Sequence, residues 1–300
     1  MNRKMAFNKN KMLGPLNTLA FIMPAAFVFM WSSGAIFVKF GLHYADPFIF
    51  LFLRLFISSF ILWGIVFYLK TPLSYHAKEW GYTLLTGMFM QAGYQIFFFM
   101  ALAYSISPGI LTIILGAQPI LTAILTKERK QLLQWIGLIL GMTGLILVVS
   151  DSLFIKAVSL IGIICAGLSL LGITIGTIMQ KRIRMNQPLN MAIQYTGSAV
   201  VLFFLVLLFK PSLHWTIMFV ISLSWMVLIV SVGATVLLYL MIQKDSLTNV
   251  ASLFYCVSPV TSLLDFFIFG STLKWLAVAG MILIIIGLIL VNRKRTAASK

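Results

Sequence analysis

Residues 217–242 read IMFVISLSWMVLIVSVGATVLLYLMI, a run of 26 residues without a charged side chain. A helix of about 20 apolar residues is long enough to cross the hydrocarbon core of a bilayer. The polar residues of this run do not alternate with apolar ones as they would in a barrel strand, which favours a helix. The segment therefore predicts a transmembrane helix.

The whole chain is built from stretches of this kind. We predict ten spans, at residues 18–42, 47–69, 80–103, 106–126, 132–150, 157–180, 188–209, 217–242, 247–269 and 274–292. Turn sequences such as Asp46-Pro47 and Gln187-Pro188 separate them. The expected fold is an all-α polytopic membrane protein with ten transmembrane helices.

The composition leaves no room for a soluble enzyme. Apolar residues make up 61% of the 300 positions and charged residues 9%, against about 45–50% and 25% in soluble proteins. Ten spans of about 21 residues leave only about 90 residues for tails and connections. The three histidines, His43, His76 and His214, lie near predicted membrane boundaries, without metal-ligand spacing or a nucleophile–base pairing. We therefore expect no enzyme activity and no metal site.

The net charge of +16 is explained by orientation and not by a nucleic-acid partner. If the N-terminus is inside, seventeen Lys and Arg residues lie in inner segments and three, Lys156, Lys210 and Lys274, in outer segments. Such an excess is typical of the cytoplasmic loops of membrane proteins. We expect a multi-pass protein of the inner (plasma) membrane with both termini in the cytoplasm.

The two halves of the sequence resemble each other at a shift of about 140 residues. Gln118-Pro119 matches Ser258-Pro259, and Gly137 and Gly144 match Gly280 and Gly287. Because each half has five spans, an odd number, the second copy enters the membrane from the opposite side, as in many transporters. We predict two inverted five-helix repeats, residues 18–150 and 157–292, with basic cytoplasmic tails at 1–17 and 293–300.

Several motifs then carry a family resemblance. They are Trp31-Ser-Ser-Gly34, Tyr44-Ala-Asp-Pro47, Phe52-Leu-Arg54, Gly116-Ala-Gln-Pro119, Glu128-Arg129, Gln134-Trp135-Ile-Gly137 and the segment from Gly176 to Arg182. In this order they resemble the EamA branch of the drug/metabolite transporter superfamily. The resemblance implies ten helices in two inverted halves and export or exchange of small metabolites. The second half departs from it, since Phe267-Ile-Phe-Gly270 stands where a Gly-Glu pair is common, which leaves no counterpart of Glu128.

The third span carries the strongest candidates for substrate binding. Gln91, Tyr94 and Gln95 share one helix face and lie about 16–22 Å from the inner end of the span, near the middle of the membrane. The repeat counterparts are smaller, namely Ser231, Ala234 and Thr235. We predict an asymmetric cavity between the two sets. The alternative is that the glutamines only bond to neighbouring helices.

Other candidates lie on the first, fourth and ninth spans. Trp31 and Tyr255 are candidates for stacking on a ligand, although an aromatic residue on an apolar helix more often serves in packing, and Gln118 is a candidate for substrate contact. The prolines beside them, Pro119 and Pro259, predict helix kinks, because a proline removes a backbone donor. Gln194 and Tyr195 are weaker candidates, because the seventh helix is expected to be peripheral.

Three charges lie inside predicted spans at a similar depth below the outer boundary. These are Lys39, Arg54 and Asp265. A buried charge is costly unless it is paired or hydrated, so we predict that Asp265 pairs with Arg54 or Lys39 and is the best-placed carboxyl for a proton. One positive charge is then left over, which favours a substrate with a carboxylate. The alternative is that the two basic side chains extend to the membrane surface.

The functional prediction is a secondary transporter, an exporter or exchanger, of small metabolites such as amino acids by alternating access. The sequence has no GxxxxGK[ST] loop, so we expect no ATP hydrolysis and no cofactor. The expected partners are a small-molecule substrate and membrane lipids, with a homodimer left open. Two alternatives remain at this point: a non-transporting structural or accessory membrane protein, and a multidrug exporter of cationic compounds.

Overall fold

The computed structural model describes the backbone of residues 13–150, 159–270 and 274–293, and the side chains of these ranges from residue 22 onward. The described part of the chain forms ten helices. They are α1 (Leu13–Gly41), α2 (Pro47–Tyr68), α3 (Ala77–Ala103), α4 (Pro108–Leu125), α5 (Leu132–Val148), α6 (Leu160–Gln180), α7 (Gln187–Phe209), α8 (Ile217–Lys244), α9 (Leu247–Phe269) and α10 (Trp275–Asn292).

The predicted all-α polytopic fold is confirmed. Nine helices of the described chain are long and apolar enough to cross a membrane, and α5, with residues Leu132–Val148, is a shorter apolar helix. The predicted tails, 1–17 and 293–300, fall mostly outside the described residues. The described part of the first one, from Leu13, already belongs to α1.

Two helices contain π-helical segments that the sequence did not predict. The segment Met88–Gly93 interrupts α3, and the segment Met226–Ala234 interrupts α8. A π segment inserts extra backbone into a helix and turns the following side chains relative to the preceding ones. In both helices it lies in the middle of the span, where Gln91 and Ser231 are found.

Two further helices are broken near their middles. In α4 the break is at Ala117, whose N–H donates to Ile114 O at 3.1 Å, a tighter bond than the α-helical pattern. The missing N–H of Pro119 costs little here, because this residue lies in the first turn of the following helical piece.

The break in α9 does not lie at the predicted proline. The helical piece Phe254–Phe269 runs through Pro259 without interruption, and the break is at Leu253. There the N–H of Leu253 donates to Val250 O at 3.2 Å, again one residue short of the α-helical spacing.

The helices pack in a pattern with internal symmetry. The main contacts pair α2 with α7 and α5 with α10, place α1 against α8 and α9, and place α6 against α3 and α4. Exchanging each helix of the first five with its counterpart five positions later leaves this set of contacts unchanged.

Glycines set the distance between α5 and α10. A Cβ atom on Gly144 would lie 2.6 Å from Gly280 O, and one on Gly137 would lie 2.7 Å from Gly287 O. Both distances are too short for a side chain, so these two backbones meet only because the residues are glycine. These four glycines are the ones that match between the two halves of the sequence, and each contact joins one glycine to the counterpart of the other.

The loops gather at two faces of the bundle. We call the face with loops 69–76, 126–131, 181–186 and 245–246 the basic face, because most of the loop Lys and Arg residues lie there. The opposite, far face carries loops 42–46, 104–107 and 210–216. At the far face Asp46 N donates to Ser212 O at 3.0 Å and Ser212 N donates to Asp46 Oδ2 at 2.7 Å, which ties the two halves together.

Candidate functional site

A cavity of about 480 Å³ lies between the helices in the middle of the bundle. Its wall includes Val38, Thr112 and Val149, close to the far-face ends of α1, α4 and α5, so the cavity extends toward the far face. Of the six predicted substrate-binding residues, five line it: Trp31, Gln91, Tyr94, Gln95 and Gln118. Arg54 lines it as well.

An aromatic cluster closes the cavity toward the basic face. The Trp31 ring lies with its centroid 5.5 Å from the Phe27 ring and 5.4 Å from the Phe254 ring, the latter in an edge-on contact. Phe27 and Phe254 also touch each other edge-on at 5.4 Å. Tilted and edge-on contacts are the arrangements that aromatic rings favour, and Trp31 lines the floor of the cavity on top of this cluster.

Arg54 on α2 is the polar centre of the cavity wall. It is 93% buried, with a relative exposure of 7%. Its Nε donates to Ser231 Oγ on α8 at 2.6 Å, and its Nη1 donates to Gln95 Oε1 on α3 at 3.1 Å. The guanidinium therefore bridges the two π-interrupted helices, one from each half of the chain.

The glutamines of α3 both line the cavity and bond to other groups. Gln95 Nε2 donates to the carbonyl of Gln91 at 2.8 Å, and Gln91 Nε2 donates to Tyr239 Oη on α8 at 3.2 Å. The sequence analysis offered two roles for these glutamines, lining a cavity or bonding to neighbouring helices. In the structure the same side chains do both. Thr235, one of the smaller repeat counterparts, lines the cavity too.

A buried polar network continues from these glutamines toward the basic face. Tyr239 Oη donates to Gln194 Oε1 at 2.7 Å, and Gln194 Nε2 donates to Gln180 Oε1 at 2.7 Å and to Asn190 Oδ1 at 2.6 Å. These four side chains are fully buried. The sequence analysis expected α7 to be peripheral. The structure shows otherwise, because α7 carries part of this network through the packed interior.

Tyr195 belongs to the same interior. Its hydroxyl donates to Ser231 O at 2.7 Å and lies 3.0 Å from Thr235 Oγ1. Ser231 is also the acceptor of Arg54, so Tyr195 fixes the backbone beneath the guanidinium. The sequence missed Tyr239, Gln180 and Asn190, although an amide or hydroxyl inside an apolar span was an available signal.

The predicted pairing of Asp265 is found with Lys39. Lys39 Nζ lies 3.3 Å from Asp265 Oδ1 and 3.9 Å from the centre of the Phe269 ring. The pair is partly exposed, at 52% and 30% of the two side chains, and neither residue lines the cavity. The cluster of three charges is thus divided, and Arg54 is the member that reaches the cavity.

The remaining predicted residues occupy different positions. Gln118 Nε2 lies 3.5 Å from Thr177 Oγ1 on α6, at the cavity wall. Tyr255 is outside the cavity, and its ring fills the space beside Gly141, where a Cβ would approach Tyr255 Cδ2 to 2.6 Å. Tyr255 is therefore a packing residue between α9 and α5. Pro119 and Pro259 are buried near the cavity without lining it.

The basic face is closed by contacts between the two halves of the chain. Glu128 Oε1 accepts the N–H of Leu247 at 2.9 Å, and Glu128 Oε2 lies 2.9 Å from Lys130 Nζ. Lys130 Nζ also donates to Asn249 Oδ1 at 2.9 Å and to Ser246 Oγ at 3.1 Å. The α4–α5 loop is in this way fastened to the beginning of α9.

The environment at the basic face lowers the pKa of two charged groups, Glu128 and Lys181. Burial would raise the pKa of the Glu128 carboxyl, but hydrogen bonds with Lys130 and Thr248 and the charge of Lys130 outweigh it, so the pKa lies below its usual value. Nearby, Lys181 Nζ donates to the carbonyls of Gln243 at 2.9 Å and Asp245 at 2.6 Å. Burial lowers the pKa of Lys181, partly offset by the charges of Asp245 and Glu128.

Comparisons with known proteins agree with this architecture. Residues 18–150 match the sequence profile of the EamA-like transporter family, which belongs to the drug/metabolite transporter superfamily. A solved crystal structure, one of 29 matching chains, superposes with a TM-score of 0.79 at 16% sequence identity, over 92% of this chain and 96% of that chain. At that identity the likeness shows the fold alone. A comparison with curated proteins gave no match.

Proposed function

We propose that the whole chain is a secondary transporter of small metabolites, because residues 18–150 match the EamA-like transporter family. The observation that carries the proposal is the cavity, which lies in the middle of the bundle between helices of both halves and ends at the aromatic floor of Trp31, Phe27 and Phe254. Such a position is where transporters with repeated halves bind substrate.

We further propose that the two halves, residues 18–150 and 157–292, are inverted repeats that exchange roles during transport. The symmetric helix contacts, the π segments in α3 and α8 and the breaks in α4 and α9 support this. In the present arrangement the basic face is closed by Glu128 and Lys130. The alternate arrangement would close the far face and open the basic face.

The substrate class that fits the cavity is a small amphipathic metabolite that carries a carboxylate, a class that includes organic acids and amino acids. Amide groups of Gln91, Gln95 and Gln118 supply donors and acceptors, and aromatic rings supply an apolar wall. The charge of Arg54 argues against a multidrug exporter of cationic compounds, because like charges in a low-dielectric cavity repel strongly. No enzymatic step is part of this proposal.

The orientation follows from the positive-inside rule. We propose that the basic face lies in the cytoplasm, together with both termini, and that the protein is a multi-pass protein of the inner membrane. The open cavity then faces outward in the structure described.

An uptake screen in proteoliposomes, with and without a pH gradient, tests the proposal. Radiolabelled amino acids and small organic acids should identify at least one substrate, and Gln95→Leu should lower its uptake at least tenfold because the amide both lines the cavity and bonds Arg54. Gln243→Leu is the matched control, since Gln243 is exposed and outside the cavity. Equal uptake by both variants would show that the cavity does not bind the transported substrate.

A further inference from the structure

Arg54 is a buried cation, and no described residue places a carboxylate beside it. Two of its five N–H donors are used, on Ser231 and Gln95, which leaves three without a partner among the described residues. Hydroxyl and amide oxygens are neutral and do not cancel the charge. A buried charge that is hydrogen-bonded but not compensated is costly in a membrane interior.

The acidic residues of the described chain are all placed elsewhere. The sequence has six: Asp46, Glu79, Glu128, Asp151, Asp245 and Asp265. Asp46 bonds Ser212 at the far face, Asp265 pairs with Lys39, and Glu128 pairs with Lys130. Glu79 accepts the N–H of His76 at the start of α3, and Asp245 is exposed in the basic-face loop. Asp151 lies outside the described residues.

The rest of the cavity wall is neutral. Among the described residues that line the cavity, Arg54 is the charged one, so the lining carries a formal charge of +1. The wall around it is largely apolar, with the rings of Trp31, Phe98, Phe99 and Phe254. No described lining residue offers a carboxylate to a ligand's ammonium group.

We propose that the cavity selects its ligand by net charge and prefers an organic monoanion, whose carboxylate pairs with the guanidinium of Arg54, over a zwitterion of the same shape. The proposal rests on the transport function above and names its substrate class. A guanidinium can hold a carboxylate through two parallel hydrogen bonds, and its remaining donors suffice for this. A zwitterion would bring an ammonium group into a cavity that already has one uncompensated positive charge, so it would bind more weakly.

Three compounds with the same carbon skeleton separate charge from shape. They are 2-hydroxy-4-methylpentanoate, leucine and leucinamide, with net charges of −1, 0 and +1 at about pH 6.5, below the pKa of an α-amino group. Titration calorimetry on the purified protein should give the tightest binding for the hydroxy acid and the weakest for the amide. We expect roughly a tenfold step between hydroxy acid and leucine, because both carboxylates can pair with Arg54 but the ammonium group of leucine is repelled by it.

Substitutions at Arg54 assign the preference to this residue. Arg54→Gln should remove the advantage of the hydroxy acid, whereas Arg54→Lys, which keeps the charge, should weaken binding but retain the order. The matched control is Arg182→Gln, which changes an exposed arginine at the basic face and should leave all three affinities unaltered. If Arg54→Gln does not yield folded protein, the Lys variant still tests the order.

The outcomes distinguish this inference from the transport proposal. Leucine or leucinamide binding as tightly as the hydroxy acid, or an order that survives Arg54→Gln, would overturn selection by net charge even if uptake is observed. Competitive displacement of the hydroxy acid by physiological chloride would show that an inorganic anion occupies the site, which also overturns it. Charge-ordered, Arg54-dependent binding without uptake of any compound would leave the inference standing and remove the transport function.

Discussion

At the scale of single residues, the hydroxyl of Tyr239 joins the cavity to the polar interior. It accepts a hydrogen bond from Gln91 Nε2 and donates one to Gln194 Oε1, and all three side chains are buried. An amide left without its partner in such a place costs about 1–3 kcal/mol, and somewhat less where a membrane protein can relax. Tyr239 therefore stabilises the buried polar network although it does not line the cavity.

The first prediction concerns that hydroxyl. Tyr239→Phe should lower the stability of the purified protein by about 1–2 kcal/mol, because two buried amides lose a partner while the ring stays in place. Thermal unfolding in detergent measures it as a lower Tm. Tyr68→Phe is the matched control. Tyr68 is 86% exposed, so this variant should unfold at the same temperature as the wild type. An unchanged Tm for Tyr239→Phe would mean that water replaces the hydroxyl.

Sequence reasoning reached some of these residues and not others. Gln91, Tyr94 and Gln95 were found because they lie on one helix, where spacing alone indicates a shared face. The partners of Arg54 and Gln91, on the other hand, lie on α8, and Tyr239 was not singled out at all. Contacts between helices depend on packing, and a single sequence of apolar spans gives no measure of which helices meet.

At the scale of secondary-structure elements, the close crossing of α5 and α10 requires glycine on both helices. A Cβ on Gly280 would lie 2.5 Å from Gly144 O, and one on Gly287 would lie 2.6 Å from Gly137 O. The obstacle is backbone on each side, which cannot rotate away as a side chain would. Glycines occur at matching positions of both halves because the two helices of this crossing, α5 and α10, each contribute two of them.

The second prediction tests this crossing. Gly144→Ala should destabilise the protein by several kcal/mol or prevent its accumulation in the membrane, because its Cβ would approach Gly280 O to 2.6 Å. Folded yield by size-exclusion chromatography and Tm measure the effect. Gly64→Ala is the control: nothing lies within 4 Å of its Cβ, and alanine is the better helix former. Equal yields of the two variants would show that α5 and α10 can separate.

Helix existence was predictable, whereas the irregularities inside helices were not. Spans such as Ile217–Lys244 were predicted within a few residues because length and hydropathy define them. The π segment Met226–Ala234 leaves hydropathy unchanged and has no local signal in the sequence. The break at Leu253 likewise lies before Pro259, the residue at which the sequence predicts a kink.

At the scale of the whole molecule, the distribution of charge sets the orientation in the membrane. The loops that meet at the basic face contain clusters such as Lys127, Arg129 and Lys130, whereas the described far-face loops contain Lys210. The positive-inside rule assigns the first set to the cytoplasm. With the ten helices of the described chain, this assignment is the basis of the proposal that both termini lie in the cytoplasm.

The third prediction is this topology. Reporter proteins fused after Lys130 and after Arg184 should be active only in the cytoplasm, and one fused after Ser212 should be active only on the outer side. Paired enzymatic reporters that work on opposite sides of the membrane measure it. Each fusion site lies in a loop at one of the two faces, so the insertion leaves the preceding spans intact. A reversed result at any of the three sites would contradict the topology of ten membrane-spanning helices.

The central claim is that the cavity carries a solute from one side of the membrane to the other, and counterflow in proteoliposomes tests it most directly. Vesicles are loaded with an excess of unlabelled compound from the uptake screen and diluted into a trace of the labelled compound. The account predicts transient accumulation of label above equilibrium in wild-type vesicles and in Gln243→Leu vesicles, and none in Gln95→Leu vesicles. Label that rises only to equilibrium in wild-type vesicles, for every compound tested, would contradict it.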